Sequence, residues 1–286
     1  MKRIPVLLCL ALFCLSFQKT HAQTSSLLWE ISSGNNHPSS YLFGTFHLMC
    51  KDQFTISTIL EDKIRSVKQF YGELKMDDPN LQQEMMSKMQ LRDQTLQDLI
   101  GAEAYPEIRQ KFETLTHMPL LAFDHFKPFF CLSLLALQSV NCQQITQPET
   151  ELMGIAGKYQ IPIKGLETVE DQLSALDKEP MADQIQSLKR TVLNFDSVKT
   201  MMHTLTQVYL KRNIDTLYRF MQDSGLSEDF ETVLLKNRNE NWIPVMVQAM
   251  KTENCFFAVG AGHLGGKDGL IQLLRTKGYR VTPVKY

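Results

Sequence analysis

Tyr41-Leu42-Phe43-Gly44-Thr45-Phe46-His47-Leu48 and, near the other end, Phe256-Phe257-Ala258-Val259-Gly260-Ala261-Gly262-His263-Leu264 carry one design. In each, an apolar run meets a glycine and a histidine follows three residues later. Apolar runs of this length read as buried strands. A strand that ends in glycine can turn sharply, because glycine tolerates positive φ. The histidine then sits at the carboxyl end of a strand, where open α/β sheets place their ligands. Two such histidines define a candidate site built from both ends of the chain.

Working outward, residues 27–32 and 40–43 read as a hairpin around a Ser-Gly-Asn-Asn-His-Pro turn. Apolar residues at 56, 59, 60, 64 and 67 have helical spacing, and Gln69 to Lys75 reads as a strand. The far end repeats the unit, with a strand at 255–259, a helix at 270–276 closed by Gly278, and a strand at 280–284. Strand–helix–strand units favour parallel strands with right-handed crossovers, while the hairpin adds antiparallel pairing. The fold class is therefore α/β (α+β), a mixed central sheet built from two strand–GxxH–helix–strand units. The middle, about 79–251, reads as a large helical insertion: 79–91, 102–115, 127–142, 148–159, 180–194, 197–222 and 226–251, the last broken near Pro244. One short strand interrupts it at 161–164. No Ser/Gly-rich linker appears, so residues 23–286 read as a single domain. Methionines clustered at 76–89 read as core filling.

Net charge is −1 with no block of like charge, which excludes nucleic acid and an anionic membrane as expected partners. Residues 1–22 read as a secretory signal peptide: Lys2 and Arg3, an apolar core from Ile4 to Phe17, and Thr20-His21-Ala22 before the cleavage point. That core is too short to span a bilayer, so an exported, periplasmic or secreted chain with no transmembrane segment is expected. Four cysteines remain, Cys50, Cys131, Cys142 and Cys255, and disulfides are permitted in such a compartment. Cys131 and Cys142 fall in one predicted helix, about 16 Å apart, and cannot pair there. Cys50 and Cys255 flank the two histidine motifs and can pair if those motifs are neighbours.

Glu73 lies inside the apolar segment 70–74, where a carboxylate must find a histidine, a cation or water. Glu167, in GLET after the short strand, is a second strand-end carboxylate; a helix cap by Thr168 with Glu170 nearby explains the segment equally well. Arg238 and Asn239 lie in KNRNENW, and Arg238 can hold a carboxylate or a developing oxyanion. His37, His117, His125 and His203 have no matching context. HExxH, P-loop, GxGxxG and GxSxG signatures are absent. The candidate set is thus His47, His263, Glu73 and Arg238, with Glu167 and Asn239 secondary.

In LLWEIS, SYLFGTFHL, FYGEL, IPIKGLETVEDQL, NRNENW and the segment 256–284, the chain resembles the TraB/PrgY/GumN family. That family is related to the Tiki metalloproteases and more distantly to the erythromycin-esterase and ChaN-like groups. The resemblance implies a mixed α/β fold with both histidines and Glu73 at one site. For the Tiki-like branch it implies a peptidase using a divalent metal held by His47, His263 and Glu73, manganese or cobalt favoured and zinc compatible. For the esterase-like branch it implies a histidine base without an obligatory metal. Relatives often carry an aspartate before the IPIKGLE region; here Glu149 or Glu151 takes its place. The expectation is an exported hydrolase of peptides or small molecules. The alternative is a non-catalytic binder of a peptide signal, a metal or haem, since histidines also ligate haem iron.

Overall fold

The computed structural model describes residues 25–34, 37–223 and 228–286. The proposed signal peptide, 1–22, lies outside the described residues. Among the described residues, no helix is long and apolar enough to cross a membrane.

Among the described residues eight strands form: β1 Leu28–Ser32, β2 Ser40–Thr45, β3 Met49–Cys50, β4 Gln69–Gly72, β5 Ile145–Thr146, β6 Ile163–Gly165, β7 Cys255–Gly260 and β8 Arg280–Pro283. Six of them build a mixed sheet in the order β6-β4-β7-β2-β1-β8. Strands β6, β4, β7 and β2 are mutually parallel, and β1 pairs antiparallel with both β2 and β8. Every residue of β2 and β7 is buried, which explains why both read as unbroken apolar runs rather than alternating ones. The two units interleave: β7 inserts between β2 and β4, and β8 crosses to the far edge to join β1. Local patterning carries no information on such long-range order.

The glycines of the two motifs act by close approach rather than by positive φ. Gly260 has φ −51°, and Gly44 is not among the positive-φ glycines. A Cβ on Gly44 would lie 3.0 Å from the Ala261 Cβ, so the bare backbone lets the second motif pack on the first.

The helical middle has its own apolar cluster, including Leu96, Phe112, Leu135 and Leu188. A smaller cluster, Leu74, Met89, Val169 and Leu173, lies beside the end of β4. Met89 and Met85 contribute there, but Met76 and Met86 are exposed, so core filling explains only part of that methionine group. The predicted 197–222 helix is two, Phe195–Leu210 and Ile214–Gln222. Pro244 does not break its helix. Arg238–Thr252 runs through it, held by buried Trp242, Ile243 and Met246, and the irregularity lies upstream as a π-helical stretch, Thr232–Asn237. Such stretches concentrate at functional sites.

Cys50 pairs with Cys142, with Cα atoms 5.8 Å apart, and Cys131 and Cys255 are buried and free. The Cys50–Cys255 pairing is therefore wrong. Cys255 opens β7 at the opposite end from its histidine, whereas Cys142 lies beyond the end of helix Pro128–Ser139 and reaches β3. The β3–β5 ladder runs beside that disulfide.

Candidate active site

All four parallel strands deliver a polar side chain just past their carboxyl ends: His47 after β2, Glu73 after β4, Glu167 after β6 and His263 after β7. Arg238 and Asn239 approach from the start of helix Arg238–Thr252. The six sequence candidates are thereby brought together, in the crevice that parallel sheets reserve for ligands. The remaining described histidines, His37, His117, His125 and His203, are all exposed.

The point of convergence is Gly260. A Cβ there would lie 3.2 Å from Glu73 Oε1, 3.5 Å from His47 Nε2 and 3.6 Å from His263 Cδ2. The missing side chain leaves the space that the three groups share. The Gly260 N–H donates to Glu73 Oε1 at 2.7 Å. Glu73 Oε1 is 3.9 Å from His263 Nε2.

His263 is locked. The amide of buried Asn239 donates through Nδ2 to the carbonyls of His263 and Asp268, so its Oδ1 is the acceptor facing His263 Nδ1 at 2.8 Å. Nδ1 must then carry the proton, and Nε2 presents a lone pair. The Trp242 ring packs on the imidazole, centroids 4.4 Å apart. Burial above all pushes the His263 pKa down to about 3; Glu73 opposes this and Arg238 reinforces it. His263 is neutral throughout the physiological range.

His47 is the opposite case. Its side chain keeps 71% of its accessible surface, against 5% for His263. Nδ1 meets Glu149 Oε1 at 2.9 Å, and the same carboxylate oxygen accepts from Thr45 Oγ1. Packing around the ring lowers its pKa, but the hydrogen bond and charge of Glu149, with Glu73 behind it, raise it to about 9. Solvent screens the charges around so exposed a ring, which weakens the pairing with Glu149 without reversing its direction. Of Glu149 and Glu151, Glu149 is the one that reaches the site. Glu151 instead joins Lys51 and Thr146.

Burial pushes the Glu73 carboxyl up, and His263, Arg238, His47 and the Gly260 amide together bring it down to about 2. With His263 neutral, Arg238 does most to keep it ionised, followed by His47 and the Gly260 amide. The Arg238 fork has five N–H donors and all are engaged. Nε and Nη2 grip Glu167, Nη2 also reaches Glu73 Oε2 at 2.7 Å, and Nη1 faces the Leu234 carbonyl and His263 Nε2 at 3.3 Å. The guanidinium lies 4.7 Å from the centre of the Trp242 ring, and Trp242 Nε1 donates to Glu167. Burial raises the Glu167 pKa and Arg238 opposes it. Both readings of GLET apply at once: Glu167 enters the cluster while Thr168 and Asp171 form the helix's capping box. Glu170 pairs outside with Lys88.

Two imidazoles and a carboxylate are the donor types that borderline divalent cations accept, and the space around Gly260 separates them. Among the described residues, however, no three His, Cys, Asp or Glu side chains form a ready-made metal site. A cavity of about 240 Å³, lined by residues including Tyr218, Lys236, Lys267 and Asp268, adjoins the cluster through Asn239 and Gly262.

Sequence reasoning placed Trp242 in the NRNENW motif without giving it a role at the site, and it overlooked Gln172. Trp242 falls one helical turn after Arg238 and Asn239, so the i+3 and i+4 spacing pointed to it. Gln172 Nε2 reaches Glu73 Oε2 at 3.3 Å from a helix whose own pattern gives no hint of this.

The chain is 21% identical to metalloprotease TIKI2 of Xenopus tropicalis, across 92% of the chain and 60% of that protein. It is 23% identical to metalloprotease TIKI1 of Danio rerio, across 90% of the chain and 63% of that protein. It thus spans about three fifths of the length of these relatives. No solved structure matches it. The sequence model of the TraB/PrgY/gumN family matches residues 27–283, and the chain belongs to that family.

Proposed function

We propose that the protein is an exported hydrolase, a peptidase that uses a divalent metal. The observation that carries this reading is the meeting of His47, Glu73 and His263 around the unfilled space at Gly260. The kinship with proteins named metalloproteases supports it. His47 Nε2, His263 Nε2 and Glu73 Oε1 would hold the ion. A divalent cation supplies Lewis acidity toward a carbonyl and a water. Glu149 aims His47, Asn239 fixes the His263 tautomer, and Arg238 with Glu167 and Trp242 holds Glu73 ionised. In this reading residues 1–22 are removed and 23–286 fold as one unit.

A second reading is favoured by the pairing of exposed His47 with half-buried Glu149. Without a metal, His47 Nε2 moves the proton: neutral, it takes one from the nucleophile; protonated, it returns one to the leaving group. The test is elemental analysis of untagged protein together with cleavage of a peptide library in added Mn²⁺ or Co²⁺. The peptidase proposal requires cleavage that falls at least about 100-fold in His47→Ala and His263→Ala. Ligand binding without turnover, retained in Glu73→Gln, would replace it with a binding function.

A further inference from the structure

We infer that Arg238 occupies the cation seat of this site, so that its guanidinium and a divalent ion compete for the lone pair of His263 Nε2 and for the charge of Glu73. An imidazole nitrogen has one lone pair. That of His263 Nε2 already faces Arg238 Nη1 at 3.3 Å, because Asn239 fixes the proton on Nδ1. Glu73 Oε2 accepts from Arg238 Nη2, and Glu73 Oε1 accepts from the Gly260 N–H. Of the three proposed donors, His47 stands apart from the fork, out in solvent. An ion can bind His263 Nε2 only if Arg238 Nη1 withdraws.

The structure also supplies a place for the withdrawn fork. Glu167 holds Arg238 through Nε and Nη2, and the Trp242 ring lies beneath the guanidinium. Arg238 can therefore release His263 and Glu73 while keeping its strongest ion pair. Glu167, itself only 5% exposed, thus serves as the second dock of a cation that moves. Two buried carboxylates and one arginine form a closed set; adding a divalent ion with the arginine still in place brings like charges together in a poorly solvated site. The protein would then take up metal only against this built-in competitor. The inference deepens the metal proposal, and its test separates the two.

Mn²⁺ and Co²⁺ are titrated into metal-free parent, Arg238→Lys and Arg238→Gln proteins, following heat, the visible spectrum of Co²⁺ and melting temperature. The expected order of affinity is parent, then Lys, then Gln, with Gln at least about tenfold tighter than parent, since a unit charge beside the ion is gone. Metal should also raise the melting temperature of Arg238→Gln more than that of the parent. If the parent binds metal and Arg238→Gln binds no tighter, the competition is overturned and the metal proposal stands. If only the variants bind, competition is supported and the resting chain is no metalloprotein. If none binds, both fall. Should Arg238→Gln fold only with Co²⁺ present, that counts for competition; if it does not fold at all, an Arg238→Lys affinity equal to the parent's overturns it.

Discussion

Replacing Glu149 with Gln removes the charge that keeps the proton on His47. In the parent, packing lowers the His47 pKa but Glu149 and Glu73 raise it to about 9. In Glu149→Gln the lowering influences of packing and Arg238 remain, with only Glu73 opposing, so the pKa should fall to about 6.5 or below. The sign of the stability effect follows. A folded-state pKa above the unfolded value stabilises the fold fully below about pH 6.5, and that contribution is lost as pH rises through about 9. Glu149 sets the acid limit: burial raises its pKa but His47 and Thr45 hold it below normal, so its contribution is present above the carboxylate range and lost as pH falls through its folded pKa. The pair therefore stabilises from just above the carboxylate range to about pH 9. Because the ring is 71% exposed, we expect about 1 kcal/mol rather than the full value of the shift. For a chain of this size that is a melting-temperature difference of about 2–4 °C. NMR titration of the His47 ring in metal-free protein, with thermal melts at about pH 6 and pH 10 on either side of the titration, checks both parts. A parent His47 that titrates at its ordinary value, or an unchanged pKa in Glu149→Gln, refutes the reasoning.

Gly260→Ala should fold but lose at least about tenfold in peptide cleavage, because the new methyl enters the shared space; full activity would show that this space is unused. Asn239→Ala frees both His263 tautomers and leaves two carbonyls without their donor. A loss of about 1–3 kcal/mol in denaturant unfolding and a changed ¹⁵N shift pattern for His263 are expected. Reducing Cys50–Cys142, or replacing both with Ser, should lower stability by about 2–4 kcal/mol in chemical denaturation, whereas Cys131→Ser and Cys255→Ser leave that disulfide intact.

The strand ends were legible because β2 and β7 are buried on both faces and so appear as unbroken apolar runs. Glu73 stood out because an acid inside such a run needs a partner, and Arg238 and Asn239 because they share one short segment. What escaped was whatever depends on distant order. The Cys50–Cys142 pairing requires knowing that the chain after helix Pro128–Ser139 returns to β3. Choosing Glu149 over Glu151 requires knowing which face of helix Pro148–Lys158 meets His47. The break expected at Pro244 failed because tertiary packing of Trp242, Ile243 and Met246 outweighs one lost helical hydrogen bond. The gap between helices at residues 211–213 was hidden by apolar residues that continue the helical period on both sides.

The position of β7 has a consequence for biosynthesis. β7 lies far downstream of its two sheet neighbours in the chain, so β2 and β4 must wait, with open hydrogen-bonding edges, until residues 255–260 have been made. Nascent chains and products truncated before residue 255 would carry two exposed apolar edges, the condition under which intermediates aggregate. Chaperone dependence should therefore persist until β7 has emerged, and no fragment that stops before residue 255 can assemble the cluster, because the second histidine and the strand beside β2 arrive together.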